Sequence, residues 1–237
     1  MNPMCVIKLG GAAVTSADGP AGLDTAVMQA LAAELATLPA RLVLVHGTGA
    51  VGKPPAIEHG FAHVGELPAE RAHLACEIHR RLRDLNQAIV ATLVAAGIPA
   101  IGLDPGWLIN ADFDGWRDPA AANFLRDMLN HGVVPVLYGD MVPGPDGAFR
   151  VLSSDVIACL LATGLAADHL IFLSNVPGVL ANGNDGPDSV VLPEVFPDTL
   201  EQTGMFGATD AADVSGGMGE KLRMAMRAAG HCQSCWI

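Results

Sequence analysis

Arg41-Leu42-Val43-Leu44-Val45-His46-Gly47-Thr48-Gly49-Ala50-Val51-Gly52-Lys53 joins an apolar run to a glycine-rich turn. Leu42 to Val45 form a short, continuous apolar run, the pattern of a strand buried on both faces. Three glycines then turn the chain, and Pro54, which suits a first helical turn, is expected to open a helix. Strand, glycine loop and helix in that order make a βα unit that binds ligands at the strand's carboxyl end.

The same alternation extends in both directions. Before this unit, Cys5-Val6-Ile7-Lys8-Leu9 reads as a strand stopped by Gly10-Gly11, and a helical period covers 23–38. After it come a long helix over 68–96, a strand at 100–103 and a hairpin or lid over 106–117 carrying Trp107, Phe113 and Trp116. A helix begins at Asp118-Pro119, a strand at 133–138 ends on Gly139-Asp140, and a turn at 143–147 leads to a strand at 149–152. Ser153-Ser154-Asp155 caps a helix to Leu165, and 169–173 is another buried strand. A polar loop at 182–188, a helical segment, a helix after Gly217 and a short strand within 229–237 complete the chain. Alternating β and α elements predict an α/β fold whose mostly parallel sheet is covered on both faces. No repeat or low-complexity linker divides residues 1–237, so one domain is expected.

Composition narrows the function. A net charge of −12 denies the basic stripe that nucleic-acid binding needs. The longest apolar stretch, 88–103, is broken by Gly97 and Pro99 and falls short of the ~20 residues of a membrane span. With no secretory pattern at the N-terminus, the cytoplasm is the default. Five cysteines do not make a disulfide framework. Cys232-Gln233-Ser234-Cys235 matches CxxC, but on a strand those two thiols point to opposite faces, so buried free cysteine is expected, as for Cys5, Cys76 and Cys159.

Only three lysines occur, and each sits at a glycine-rich turn: Lys8 before Gly10-Gly11, Lys53 after Gly52, and Lys221 after Gly216-Gly217-Met218-Gly219-Glu220. Glycine lets backbone N–H groups crowd an anion and lysine adds a mobile positive charge, so the pattern points to phosphate. Residues 47–52 satisfy GxGxxG, but the acidic residue wanted about twenty positions on, at a strand tip, is represented only by Glu66 and Glu70 in a loop or helix start. The overlapping GxxxxGK lacks the Ser or Thr that ligates magnesium, since Pro54 stands there. A split site, with one phosphate at Gly47-Thr48-Gly49 and another at Lys8-Leu9-Gly10-Gly11, uses all three lysines.

Ile7-Lys8-Leu9-Gly10-Gly11, Leu44-Val45-His46-Gly47-Thr48-Gly49, Pro135-Val136-Leu137-Tyr138-Gly139-Asp140, Leu152-Ser153-Ser154-Asp155, Val176-Pro177-Gly178-Val179-Leu180 and Asp213-Val214-Ser215-Gly216-Gly217-Met218 follow one another in order. Together with Leu85-Asn86 and Gly97-Ile98-Pro99-Ala100, this series resembles the amino acid kinase family, in its branch of isopentenyl phosphate and fosfomycin kinases. The resemblance implies a single αβα three-layer sandwich, usually a homodimer, with magnesium-ATP on the C-terminal half and a small anionic acceptor on the N-terminal half. It implies transfer of the γ-phosphoryl group of ATP to a phosphate- or phosphonate-bearing acceptor, with isopentenyl phosphate leading and a fosfomycin-like phosphonate as alternative. A non-catalytic nucleotide- or oxyanion-binding protein of the same fold is the alternative from another class.

Carried over by position, Lys8, Lys221 and Asp140 are the catalytic candidates. Gly10, Gly11, Gly47, Thr48, Gly49, Lys53, Ser154 and Asp155 fall on the acceptor side. Lys8, Gly10, Asn175, Gly178, Gly216, Gly217, Met218 and Lys221 fall on the ATP side. Three departures stand out: Lys53 replaces a histidine, no second lysine lies in 12–19, and the acidic D-V-D-G stretch reads Asn175-Val176-Pro177-Gly178. Asp140 and Asp155 either organise magnesium or fix Lys8, or they are a strand-end turn and a helix cap. His46, beside the loop, reads as an orienting group. His59, His63, His73, His79 and His131 lack metal-site spacing and read as solvated or capping, and no protein-held metal is expected. The tryptophans either cover the acceptor pocket or anchor the core, and Arg80, Arg81 and Arg83 read as a solvated helix face or a dimer rim.

Overall fold

The computed structural model describes residues 2–59, 61, 71–110, 115–143, 149–181, 190–196 and 217–237. Most of the expected turn at 143–147 and all of the loop at 182–188 lie outside them, as do Glu66, Glu70, His63, Phe113 and Gly216. Of the helical segment expected next, 190–196 is non-helical and the rest lies outside.

In chain order the strands are β1 (Met4–Leu9), β2 (Arg41–His46), β3 (Ala100–Gly102), β4 (Val134–Tyr138), β5 (Asp140–Pro143), β6 (Phe149–Leu152), β7 (His169–Leu173) and β8 (Ser234–Trp236). The helices are α1 (Gly11–Val14), α2 (Thr25–Leu35), α3 (Gly49–Glu58), α4 (Ala72–Ala95), α5 (Pro105–Leu108), α6 (Ala120–Asn130), α7 (Ser154–Leu165) and α8 (Gly217–Ala229). The main sheet has the order β3-β4-β2-β1-β7-β8, every pair parallel, while β5 and β6 form a separate antiparallel ribbon.

Side chains alternate across the sheet into two cores, and this makes the three layers. Met4, Val6, Val43, Val45 and Leu137 pack with Leu125 of α6, Ile157 and Leu161 of α7 and Ala225 of α8. Cys5, Ile7, Leu9, Leu42, Leu44 and Val136 pack on the other face with Met28 of α2 and Leu85 and Ile89 of α4. Strands buried on both faces leave no polar side of their own, which explains their continuous apolar sequences. The period of two carries Lys8 to the face of Met4 and Val6, toward α7 and α8. The chain winds from β1 to one edge of the sheet and then crosses to β7 on the other side of β1, so β1 lies at the reversal where α/β sheets open a crevice.

Two local expectations are corrected. Helix α3 begins at Gly49 rather than Pro54, because Thr48 O already accepts the N–H groups of Val51 and Gly52, both at 3.1 Å. Pro54 and Pro55 therefore lie inside the helix and remove two of its internal hydrogen bonds. Residue 140 does not end β4; it begins β5, which pairs with β6 from Asp140 opposite Leu152 to Pro143 opposite Phe149. The sheet's interior also fixes a stability test. Leu125→Ala, at a fully buried site, should lower the unfolding free energy by about 2–5 kcal/mol in urea denaturation. The neighbouring Phe124→Ala, at a site that is half exposed, should change it by less than about 1 kcal/mol.

Candidate active site

Beyond the carboxyl ends of β1, β2 and β7 the chain continues as Gly10-Gly11, Gly47-Thr48-Gly49 and Ser174-Asn175-Val176, and all of these residues line one cleft of about 880 Å³. The loops leave the sheet in register: Gly10 N–H donates to Leu173 O at 2.8 Å and Gly47 N–H to Leu9 O at 2.9 Å. Gly11 and Gly47 bring the first two loops into backbone contact. A methyl group on Gly47 would lie 2.6 Å from Gly11 N, and one on Gly11 would lie 2.7 Å from Gly49 Cα. Gly49 has φ 44, a left-handed conformation that glycine adopts without strain. Thr15 joins the loops further, since its hydroxyl donates to Gly11 O at 2.7 Å and accepts from Ala50 N–H at 2.9 Å. Nothing but its polarity marks Thr15 in the sequence.

The N-terminal turns of α1, α3, α7 and α8 all supply lining residues: Gly11 and Ala12, Gly49 and Ala50, Ser154 and Asp155, and Met218 and Lys221. Their first-turn N–H groups and positive dipole ends favour anions in the cleft. Lys8, Lys53 and Lys221 all line it, so the three lysines of the sequence meet at one place.

Asp155 organises two of them. Its Oδ1 lies 2.9 Å from Lys8 Nζ and 3.7 Å from Lys221 Nζ. All three side chains are buried, and Oδ1 faces the ammonium groups as ion-pair partners without an aligned hydrogen bond. Lys221 Nζ also lies 5.7 Å from the centre of the Phe172 ring. Burial, opposed by Asp155 and reinforced by the charge of Lys8, pulls the Lys221 pKa down to about 8. His46 is wholly buried and neutral, its pKa pushed down to about 4 by burial. Its Nδ1–H donates to Gly47 O at 3.1 Å, Nε2 accepts from Asn86 Nδ2 at 3.2 Å, and the ring stacks on Tyr138 at 5.6 Å. It orients the glycine loop, as its position at the strand end suggests.

The rest of the lining is mainly apolar, from Ala56 and Ile57 of α3, Ile78 of α4, Met141 of β5 and Val151 of β6, with Glu58 at the end of α3 as its one acidic member. None of these stood out in the sequence, because ordinary core periodicity produces the same residues. Asn175, Met218 and Lys221 line the cleft as placed; Gly178 does not, its φ of 149 instead shaping the turn before Val179. Asp140 is not brought to the lysines. Its Oδ2 lies 2.7 Å from His79 Nδ1 and its Oδ1 accepts from Met141 N–H at 2.7 Å. His79 is accordingly neither solvated nor capping.

The tryptophans do not line the cleft. Ile109 and Trp116 do pair through an antiparallel bridge, but Trp107 is 77% exposed and Trp116 packs against the core at Gly164. Arg80 pairs with Glu77 and Asp84 on an exposed face of α4. Cys76 is exposed rather than buried. The CxxC thiols do not stand on opposite faces of a strand: Cys232 precedes β8, and both Cys232 and Cys235 pack on the core that holds Cys159. Burial raises all three pKa values, Cys159 to about 11 and Cys235 to about 12, so these thiols stay protonated.

Paired buried lysines, two glycine loops and four helix N-termini at the carboxyl ends of parallel strands define a small-molecule phosphotransferase. The chain belongs to the amino acid kinase family, whose sequence pattern matches residues 3–237. It is 35% identical over 235 residues to the isopentenyl phosphate kinase of Haloferax volcanii, covering 96% of this chain and 90% of that one. It is 30% identical over 247 residues to the acetylglutamate kinase of Roseiflexus sp., covering 95% and 84% respectively. Its fold matches the crystal structure of a T. acidophilum isopentenyl phosphate kinase product complex with a TM-score of 0.78 at 21% identity, over 98% of this chain and 90% of that one.

The coupling of Lys221 to Asp155 can be read directly. Isotope-labelled lysine NMR should give three assignable side-chain signals, with Lys221 titrating near its pKa of about 8. Asp155 is the group that raises this pKa, so Asp155→Asn should move the titration to lower pH. An unchanged Lys221 titration in Asp155→Asn would contradict the ion pair.

Proposed function

We propose that this protein transfers the γ-phosphoryl group of ATP to isopentenyl phosphate. The observation that carries the reading is the cleft's mixed lining: cationic at Lys8, Lys53, Lys221 and the glycine loops, and mainly apolar at Ile57, Ile78, Met141 and Val151, with Glu58 the acidic residue among them. A phosphate with a short hydrocarbon tail matches that lining in both charge and polarity. An acceptor with two carboxylates, such as acetylglutamate, would press a charged group against the apolar wall.

The acceptor phosphate rests between Lys53 and the N–H groups of Gly11 and Gly49, and ATP lies along Asn175, Met218 and Lys221. An acceptor oxygen forms the new bond to the γ-phosphorus as the bond to the β,γ-bridging oxygen breaks and ADP leaves. Lys8 bridges the donor and acceptor oxygens, and Lys221 holds the charge that builds on the leaving phosphate. Such transfer depends on alignment and charge neutralisation more than on covalent work by the protein. Mg²⁺ adds further neutralisation when bound. The donor set fits a cation that arrives with the nucleotide: Asp155 already faces two ammonium groups, leaving Mg²⁺ to phosphate oxygens and water. We read the working form as a cytoplasmic homodimer. The open edge at β3, where Ile101 and nearby Val94 are exposed, suits pairing of two chains.

An acceptor screen with ATP, Mg²⁺ and a coupled ADP assay tests this. Isopentenyl phosphate should give the highest kcat/KM, above a fosfomycin-type phosphonate and acetylglutamate. ADP release with none of them, despite ATP binding, would establish the non-catalytic alternative. Lys8→Ala and Lys221→Ala should each lower kcat by about 10²–10³. Lys53→Ala should instead raise the acceptor KM about tenfold with a smaller change in kcat. Lys221 is charged below a pKa of about 8 and neutral above it, so kcat/KM for ATP should fall as pH rises through that value.

A further inference from the structure

Behind the apolar wall of the cleft, three polar side chains from three different elements meet. His79 of α4 presents Nδ1 to Asp140 Oδ2 at 2.7 Å and Nε2 to Asp104 Oδ2 at 3.7 Å. Each carboxylate is fixed by its own backbone: Asp140 Oδ1 accepts from Met141 N–H at 2.7 Å, and Asp104 Oδ1 accepts from Gly106 N–H at 3.0 Å in the first turn of α5. The oxygens left over converge on the two nitrogens of one ring. The Asp140 side chain is completely buried, whereas that of His79 retains 27% exposure. A carboxylate so enclosed needs charged or hydrogen-bonding partners, and beside the Met141 N–H His79 supplies the side-chain one.

The neighbours of this cluster along the chain are the cleft's own wall. Ile78 immediately precedes His79 and Met141 immediately follows Asp140; both line the cleft and pack in one apolar cluster with Ala56, Leu82 and Tyr138. We propose that His79 is a positioning residue for the acceptor's hydrocarbon tail: held between Asp140 and Asp104, it ties α4 to β5 and sets the spacing of Ile78 and Met141. This rests on the cleft being the acceptor site. The same three groups have ligating atoms within 4.8 Å of one another, but Nδ1 is engaged by Asp140, so a cation would be left with Nε2 and a single Asp104 oxygen. The tie explains the geometry without one.

The charges facing His79 are Asp140 from β5, Asp104 from the start of α5 and Arg83 one turn along α4. The hydrogen bond to Asp140 raises the His79 pKa above its ordinary 6.5, with burial and Arg83 opposing. Burial raises Asp140 to about 6, with His79 opposing. The pair is ionic where His79 carries its proton and Asp140 has lost its own. A histidine with a raised pKa adds stability that is complete below its unfolded value and is lost as pH rises through its folded value. The ionic tie therefore loosens on the alkaline side.

Two measurements test this. His79→Ala should raise the KM for isopentenyl phosphate about tenfold while leaving the ATP KM and the KM for methyl phosphate, which has almost no tail, within about twofold. His79→Asn keeps a donor where Nδ1 stands and cannot titrate, so it should recover most of that loss and lack the wild-type rise in tail-dependent KM at alkaline pH. Equal loss for both acceptors, or no loss, overturns the proposal. The second measurement needs no turnover: in NMR of the wild-type protein, the methyl signals of Ile78 and Met141 should shift with the titration of the His79 ring. Methyls indifferent to that titration overturn the tie even in an enzyme that uses isopentenyl phosphate. Methyls that follow it, in a protein that does not, place the failure in the acceptor reading instead.

Discussion

Asp155 between Lys8 and Lys221 is the interaction on which the site depends. It gathers two buried ammonium groups around one carboxylate, leaving an excess of positive charge inside a chain whose net charge is −12. Two buried cations repel, and the pull of burial on Lys221 shows that the arrangement is costly before a phosphate arrives. A phosphate bound there, as the proposed reaction requires, would supply the missing charge. The architecture serves this balance: β1 delivers Lys8, α7 delivers Asp155 in its first turn and α8 delivers Lys221, three elements that share one face of the sheet. Breaking a buried pair by removing one partner typically costs about 3–5 kcal/mol, so binding site and core are a single energetic unit here.

The glycine loops answer the same requirement by another route. Gly11 and Gly47 touch through their backbones, where a side chain on either would force β1 and β2 apart at their carboxyl ends. Thr15 closes the contact from one side and His46 steadies it from beneath. His46 does so while neutral, which keeps a third positive charge out of the space next to Lys8.

Much of this is legible in the sequence, for definite physical reasons. Strands buried on both faces have continuous apolar sequences, so β1, β2, β4 and β7 stand out from their surroundings. Lysine is rare enough here that three occurrences beside glycine turns carry information, and all three reach the cleft. The partner of Asp140 is not legible in the sequence, because His79 lies 61 residues away and no spacing rule joins them. Pro54 points to a later start for α3 than the structure has, because proline's preference for a first turn is local, while hydrogen bonding to Thr48 begins the helix at the glycine loop. Trp107 and Trp116 are large and apolar wherever they go, so their type could not separate a pocket lid from the core anchor Trp116 and the exposed Trp107.

The cleft's cations come from different elements. Family resemblance leads one to expect two lysines near the N-terminus and a histidine on the acceptor side; this chain has Lys8 alone before Gly19, and Lys53 in the histidine's place. The cleft still collects three ammonium groups, but their placement differs. Lys8 and Lys221 share Asp155, while Lys53 comes from α3, the helix that also supplies Ile57 to the lining. Under the proposed reaction, an ammonium group on that helix would meet an acceptor where its phosphate gives way to its tail. Lysine acts there as a point charge on a flexible stem, less demanding of geometry than an imidazole ring. Selectivity for such a tail would then fall to the spacing of the apolar wall, and the contact of His79 with Asp140, which joins α4 to β5, is the feature through which one small phosphate would be told from another.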